Sequence, residues 1–252
     1  AYDNASGNKL DYSIIPFVPL RQKSVAAISS GFVPDVIELA DYFFASAHAW
    51  NDKFLDVSDI VETQKSKFLD VATRSMYLYN NETKKRSYYA VPMKASAATF
   101  HIWKSLVEKA GYKVSDIPNK WDEFIDFFKP MQQKLRDKGM RRVYSWALEV
   151  STNGTDPIRT FSVYNLAYGG GDMVTPDGVL HADDPKIKDA VTRTMSRMSE
   201  LYHGGYVPKS AISWNDADNN NTFHSKQVVA VYNGSLSIEL ALVDKKEEYD
   251  DV

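Results

Sequence analysis

The sequence contains no cysteine, no long hydrophobic run and no excess of basic residues, and each absence excludes a class of function. Without cysteine, the 252-residue chain forms neither disulfides nor cysteine-ligated zinc sites, and it has no thiol nucleophile. Its apolar runs all fall short of the ~18 residues that a membrane-spanning helix needs. Thirty Lys and Arg against 33 Asp and Glu give a net charge of −3, which argues against a nucleic-acid-binding protein.

Patterns typical of metal sites, nucleotide sites and export signals are also missing. The five histidines are scattered, with no pair at i, i+4 spacing, so we expect no metal site. The run Gly169-Gly170-Gly171 follows a predicted helix and therefore indicates a turn, not a dinucleotide site. The first residues, Ala1-Tyr2-Asp3-Asn4, lack the basic and apolar segments of a signal peptide, so we expect any export signal to be already absent. We expect no catalytic residue and no cofactor.

The residues that are present indicate an ordinary globular protein with a surplus of aromatic side chains. Hydrophobic residues make up 44% of the chain and charged residues 25%, which excludes a disordered or low-complexity protein. The length allows one large domain or two modest ones. Aromatic residues reach 13%, and surfaces that bind ligands are one place where such residues are used.

Strand and helix signals alternate along the chain, which predicts an α/β fold with mostly parallel sheets flanked by helices. Pro130 should kink or split its helix, and Asp183-Asp184-Pro185 is a strong helix start. The charged tail, 245–251, is expected to be a solvated end. The predicted strands are Leu10–Phe17, Val33–Leu39, Ser87–Met93, Arg142–Leu148 and Gln227–Tyr232. The predicted helices are Leu20–Ser30, Asp59–Tyr79, Ala98–Ala110, Trp121–Lys138, Pro157–Tyr168, Pro185–Tyr202 and Asp218–His224.

Five segments in this order resemble one protein family, the extracellular solute-binding proteins of bacterial ABC importers, in the branch that mostly carries sugars. The segments are IIPFVPLRQKSVAAISSGFVPDV, YYAVPMKASAATFHIWKSLVEKAGY, KWDEF, LAYGGGDMVTPDG followed by DDPKIKDAV, and WNDADNNNTFHSKQVVAVYNGS. The resemblance implies a two-lobe fold of the periplasmic-binding-protein type II, with lobes at residues 1–91 and 92–252 and a hinge at Ala90-Val91-Pro92. Against the family, the chain lacks its usual first strand and its closing segments, so we expect it to be truncated at both ends.

The resemblance also implies a function without catalysis. The protein would capture a sugar or oligosaccharide between its lobes by hinge closure and deliver it to an ABC permease in the inner membrane. We expect a monomer that works in the periplasm or outside the cell. A sugar phosphate, glycerol phosphate or polyol is the alternative cargo, with Lys94 and Arg159 as the cations that a phosphate would need. A glycoside-acting enzyme is a further alternative, and its carboxylate pair would be Asp216 and Asp218.

Ligands of open α/β sheets bind beyond the carboxyl ends of the strands, and this rule selects most of the candidate ligand-binding residues. Side chains that donate and accept hydrogen bonds beside aromatic rings suit a saccharide. Arg159 and Trp214 are added because one lies a turn into a nearby helix and the other lies in a loop. The candidates are Asp41, Tyr42, Phe43, Lys94, Ser96, Glu149, Asn153, Asp156, Arg159, Trp214, Asn233 and Ser235.

Most of these candidates have an alternative interpretation that involves no ligand. Asp41 and Asp156 suit helix caps, and Asn153 and Asn233 each precede glycine, as in tight turns. Trp214 either stacks on a sugar or covers the helix that begins at Asp218. Tyr42 and Phe43 suit the core, Lys94 suits a solvated surface, and Ser96 suits a helix start.

Overall fold

The chain forms two compact units, Ala1–Ala95 and Ser96–Val252. The computed structural model describes residues 2–38, 42–93, 99–171, 173–174 and 179–252. The α/β class is confirmed, since helices flank sheets in both units. The division into two functional lobes, at residues 1–91 and 92–252, remains a prediction.

The first unit is mainly helical and carries one two-stranded antiparallel sheet. Gly31, at φ 77°, caps the second helix in the left-handed conformation, which glycine adopts without steric cost. The helices are α1 (Tyr2–Ser6), α2 (Phe17–Ser30), α3 (Tyr42–Trp50), α4 (Ser58–Gln64) and α5 (Asp70–Met76); the strands are β1 (Tyr77–Asn80) and β2 (Lys85–Tyr88).

Four predicted elements of this unit differ from the structure. Residues 8–16 and 33–38 form no strand, and Ile14 is 90% exposed, because alternating apolar residues do not form a strand without a hydrogen-bonding neighbour. The predicted helix Asp59–Tyr79 is broken by a 3-10 turn at Lys65–Lys67 and ends at Met76. The residues after it pair with Lys85–Tyr88 as a hairpin, and this second strand stops well short of the predicted Met93.

The second unit contains a three-stranded sheet in the order β3-β5-β4, with helices packed around it. Strand β5 pairs with β4 in parallel and with β3 antiparallel, so among the described strands only one pair meets the expectation of parallel sheets. The strands are β3 (Thr99–Ile102), β4 (Tyr144–Ala147) and β5 (Val228–Asn233). The helices are α6 (Lys104–Lys109), α7 (Trp121–Phe127), α8 (Lys129–Asp137), α9 (Asp156–Ala167), α10 (Pro185–His203), α11 (Asp218–His224), α12 (Ser237–Leu240) and α13 (Lys246–Asp251).

Local signals locate the helix boundaries in this unit well. The long helix predicted around Pro130 splits at Phe128 into α7 and α8, because proline at the second position of α8 lacks the donor that would continue α7. Asp184 caps α10 by accepting hydrogen bonds from the amides of Lys186 at 2.8 Å and Ile187 at 3.4 Å.

The structure departs from the local signals, or adds to them, at three places. Residues 99–102, predicted as helix, form β3 because they pair with β5 from Thr99 opposite Asn233 onward. The charged tail is mostly exposed, as expected of a solvated end, and it forms α13, in which Asp251 accepts hydrogen bonds from the Ser105 amide at 2.7 Å and from Lys226 at 2.8 Å. Asp218 is the first residue of α11, and its carboxylate accepts a hydrogen bond from the amide of Asn215, which lies before the helix.

The hydrophobic core of the second unit surrounds β5, which is buried along its whole length. Trp103 and Trp146 lie in this core, and their indole groups donate to the backbone carbonyls of Phe223 and Ile125. Within the described part of the chain, no helix combines the length and the apolar character required to cross a membrane.

Candidate functional site

The candidate residues of the second unit gather at one edge of its sheet. Because β4 and β5 are parallel, with Ala147 opposite Val231, their carboxyl ends meet at the same edge. Glu149 follows β4 by two residues, and Asn233 is the last residue of β5. Buried backbone of the sheet thus fixes the positions from which these side chains project.

Glu149 is almost fully buried, with 2% of the residue exposed. Its Oε1 atom accepts a hydrogen bond from the Ser151 hydroxyl at 3.0 Å, and its Oε2 atom has no hydrogen-bond partner among the described residues. The Ser151 hydroxyl also lies within hydrogen-bond distance of the carbonyl of Trp214, which ties the loop after β4 to the loop before α11.

Asp156 and Asp216 lie beside Glu149. Asp216 accepts hydrogen bonds from the amides of Thr155, at 2.6 Å, and Asp156, at 3.0 Å, so its carboxylate supports the start of α9 from outside that helix. Asp156 is the first residue of α9 and accepts from Asn219 at 2.8 Å. Glu149, Asp156 and Asp216 each place one carboxylate oxygen within 4.8 Å of the other two.

Burial and mutual repulsion change the acidity of two of these carboxyls. Burial raises the pKa of Glu149 to about 7, opposed by the Ser151 hydrogen bond and reinforced by the charges of Asp216 and Asp156. Burial and the Asp216 charge raise the pKa of Asp156 to about 6, although Asn219 and Arg159 act in the opposite direction.

Arg159 brings a positive charge to the same edge. Its guanidinium approaches the chain at Gly234 so closely that a Cβ atom added there would lie 3.1 Å from Nη1. Burial raises the pKa of the Tyr232 hydroxyl. The charge of Arg159 acts to lower this pKa, and the charge of Asp156 acts to raise it. Donor and acceptor groups thus alternate along this edge beside a tyrosine ring.

Asn233 is held by a network of hydrogen bonds within the protein. Its amide nitrogen donates to Asn220 at 2.5 Å, and its oxygen accepts from the Ser235 amide and hydroxyl, both at 2.8 Å. The residue is 4% exposed, so in this conformation its bonds stabilise the turn after β5.

Trp214 and Asn153 lie on the loops beside these carboxylates. Trp214 is only 6% exposed and its indole donates to the Ser210 hydroxyl at 3.0 Å, so its role as a ligand-binding residue remains a prediction. Asn153 is exposed and donates to the carbonyl of Ser213 at 3.2 Å.

The candidates of the first unit and of the junction are not located by this structure. Asp41, Lys94 and Ser96 lie outside the described residues, as do the side chains of Tyr42 and Phe43, whose backbone begins α3. Their assignment as ligand-binding residues therefore remains a prediction.

Sequence reasoning missed two contributors to this edge, Tyr232 and Asn219. Tyr232 lies inside a predicted strand, and only the pairing of β5 reveals that it belongs near Asp156.

Asp216 and Asp218 form the carboxylate pair of the glycosidase alternative. In the structure, Asp216 accepts a hydrogen bond from the Thr155 amide, and Asp218 accepts one from the Asn215 amide. Asp216 contacts Thr155 and Asp156, which lie 61 and 60 positions earlier in the chain, so no local spacing in the sequence predicts these contacts.

Comparison with solved structures identifies the fold. A solute-binding protein of an ABC transporter from Thermotoga lettingae TMO, bound with α-D-tagatose, matches with a TM-score of 0.74 and 17% identity over 98% of this chain and 59% of that chain. A sugar transporter from Arthrobacter chlorophenolicus A6 with bound laminaribiose matches with a TM-score of 0.70 and 20% identity over 97% and 58%. A solute-binding protein from Agrobacterium radiobacter K84 in complex with ribitol matches with a TM-score of 0.64 and 19% identity over 92% and 54%.

These comparisons also show what the chain covers. It spans less than three fifths of the length of the solved structures that it matches. No curated protein matches the sequence. The family model described as bacterial extracellular solute-binding protein matches residues 3–251, which is nearly the whole chain. The chain therefore belongs to the bacterial extracellular solute-binding proteins.

Proposed function

We propose that the whole protein captures a sugar or oligosaccharide and delivers it to an ABC permease, working in the periplasm or outside the cell. The family consists of binding components of transporters and not of enzymes. Structures of similar fold hold tagatose, laminaribiose and ribitol. Ligand capture of this kind requires no bond-breaking step at any residue.

The observation that carries this proposal is the mixed polar edge at the carboxyl ends of β4 and β5. Glu149 and Asp156 supply acceptors, Arg159 supplies donors and Tyr232 supplies a ring with a hydroxyl. Sugar hydroxyls donate and accept at once, and the apolar face of a sugar ring packs against aromatic rings. This combination suits a neutral polyhydroxyl ligand better than an apolar or a strongly charged one.

A thermal-shift screen of the full-length protein tests the proposal. The screen includes monosaccharides, disaccharides, trisaccharides, polyols, glycerol phosphate and amino acids. A ligand at 100 times its Kd adds about 2.7 kcal/mol to stability, which raises Tm by roughly 5–10 °C in a protein of this size. A shift confined to one class of sugar supports the proposal, and a flat screen on folded protein contradicts it.

Two variants test whether a sugar that raises Tm binds at this edge of the sheet. Arg159→Ala should abolish or strongly reduce the sugar-induced shift, since it removes donors at the edge. Lys188→Ala, on the exposed face of α10, is the control and should keep the full shift. A sugar shift that Arg159→Ala leaves unchanged would place the ligand elsewhere.

A polyol or a sugar phosphate is the alternative cargo. The polyol is favoured by the relative bound to ribitol. A phosphate is disfavoured because Glu149, Asp156 and Asp216 gather at the same edge as Arg159, and like charges repel. In the screen, a shift with glycerol phosphate but not with neutral sugars would favour the phosphate.

A further inference from the structure

Three carboxylates from three separate segments converge in the second unit. Glu149 follows β4, Asp156 begins α9, and Asp216 lies in the loop before α11. Each offers an oxygen within 4.8 Å of the oxygens of the other two. Oxygen ligands of Ca²⁺ lie 2.3–2.6 Å from the ion, so two ligands on opposite sides are roughly 5 Å apart. The spacing of the three carboxylates therefore fits around one cation.

The buried carboxylate of Glu149 has unused bonding capacity. The residue is 2% exposed, and its Oε2 atom has no hydrogen-bond partner among the described residues. A buried polar atom without a partner costs free energy, and the cost is greater for a charged group. Asp156 and Asp216 place further carboxylate oxygens beside the Glu149 carboxyl group, and a cation would compensate the negative charge that gathers there.

The main chain passes close to two of the carboxylates at Gly154. A Cβ atom added at Gly154 would lie 2.3 Å from Oδ1 of Asp216 and 2.5 Å from Oε1 of Glu149. Glycine is thus required where the chain passes these two oxygens, and any larger residue would intrude between them.

The balance of charge at this place is negative. Arg159 opposes the rise in the pKa of Asp156, but its single positive charge faces three carboxylates. All three donors are oxygens, and oxygen donors favour hard cations over zinc or copper. Irregular sets of carboxylates with added water suit Ca²⁺, whereas Mg²⁺ requires a near-ideal octahedron.

We propose that Glu149, Asp156 and Asp216 bind a divalent cation of the Ca²⁺ class. Asp216, held by the amides of Thr155 and Asp156, provides a fixed ligand. Glu149 provides the buried one, and water completes the coordination. The cation would link the loop after β4 to the loop before α11.

Calorimetric titration of the 252-residue chain with CaCl₂ tests this proposal. The protein is first treated with EDTA and exchanged into sugar-free buffer at pH 8, where carboxyls with pKa values of about 7 and about 6 are ionised. We expect saturable binding of one Ca²⁺ per chain and a higher Tm in Ca²⁺ than in EDTA. Absence of saturable binding to folded protein overturns the proposal.

Matched variants locate the cation. Glu149→Gln keeps the size of the side chain and removes a charged ligand, so it should weaken Ca²⁺ binding by about tenfold or more. Glu239→Gln is the control, because Glu239 also has a buried oxygen without a partner among the described residues but lies beside His101. The control should bind Ca²⁺ like the parent chain.

A check that the variants are folded and a repeated sugar screen complete the test. Circular dichroism confirms that each variant is folded, and Asp156→Asn replaces Glu149→Gln if the latter is not. Equal affinity in parent and cluster variants, or loss of binding in Glu239→Gln, would contradict the assignment. The sugar screen is run both in EDTA and in Ca²⁺, so that a failure of sugar binding and a failure of cation binding are distinguished.

Discussion

Glu149 combines two properties that conflict at neutral pH, deep burial and a carboxyl group. Burial and the nearby carboxylates raise its pKa to about 7, from a reference of 4.5. The folded state therefore holds this proton over a pH range in which the unfolded chain has released it. Between pH 4.5 and 7, the folded state binds more protons than the unfolded state, so the free energy of unfolding falls as pH rises.

We predict that Glu149→Gln removes much of this pH dependence when cations are absent. Each pKa unit corresponds to about 1.4 kcal/mol, so the parent chain should lose up to roughly 3 kcal/mol through Glu149 between pH 4.5 and 8. Urea denaturation in EDTA at pH 5 and pH 8 measures the loss. The variant should be more stable than the parent at pH 8, and this difference should largely disappear at pH 5, where Glu149 of the folded parent is protonated.

The control for this prediction is Glu123→Gln, the same chemical change at an exposed carboxylate of α7. It should leave the slope of stability against pH unchanged. If Glu149→Gln changes stability equally at both pH values, the residue acts through packing and not through its ionisation.

Helix α10 illustrates how a short sequence signal fixes the start of an element. Asp184 accepts hydrogen bonds from two amides of the first turn, and Pro185 occupies a position where no donor is needed. The sequence presents two adjacent acids before this helix, and the structure selects the second, because its side chain lies within reach of the first-turn amides. Asp183 is exposed.

Replacement of Asp184 with alanine should destabilise the chain by about 1 kcal/mol, since two amides of α10 lose their acceptor. Chemical denaturation at pH 7 measures the change. Asp183→Ala is the matched control and should alter stability by less than about 0.5 kcal/mol. Equal losses in both variants would mean that the charge near the helix start matters and the cap hydrogen bonds do not.

The hydrophobic core is distributed unequally between the two units. The main cluster of buried hydrophobic residues lies entirely within Ser96–Val252 and includes Trp103, Trp146 and the valines of β5. In the described part of the first unit, few large residues are buried, among them Phe44, Val61 and Tyr88. Burial of apolar surface is the main stabilising contribution to folding, so the units should differ in independent stability.

We predict that residues 96–252 fold when expressed alone and that residues 1–95 do not. Thermal denaturation followed by circular dichroism should give a cooperative transition for the longer fragment and a gradual change for the shorter one. Cooperative unfolding of 1–95, or a non-cooperative transition of 96–252, would contradict the assignment of the core.

Local chemistry determined the elements that carry their own boundary signals. Pro130 divides its helix, Asp184 starts another and Gly31 ends a third, because each effect acts within a few residues of the chain. Likewise, the parallel pairing rule was enough to select Glu149 and Asp156 as residues of one sheet edge.

Tertiary structure alone decided which apolar segments became strands and which polar residues met. Residues 99–102 are a strand because β5 supplies their hydrogen-bonding partner, whereas residues 8–16 are not, although both segments are rich in apolar residues. Asp216 reaches Glu149 from a distant segment, and no local spacing encodes that contact. Hydrogen-bond pairing and electrostatic repulsion depend on distance in space, so only the folded chain sets them.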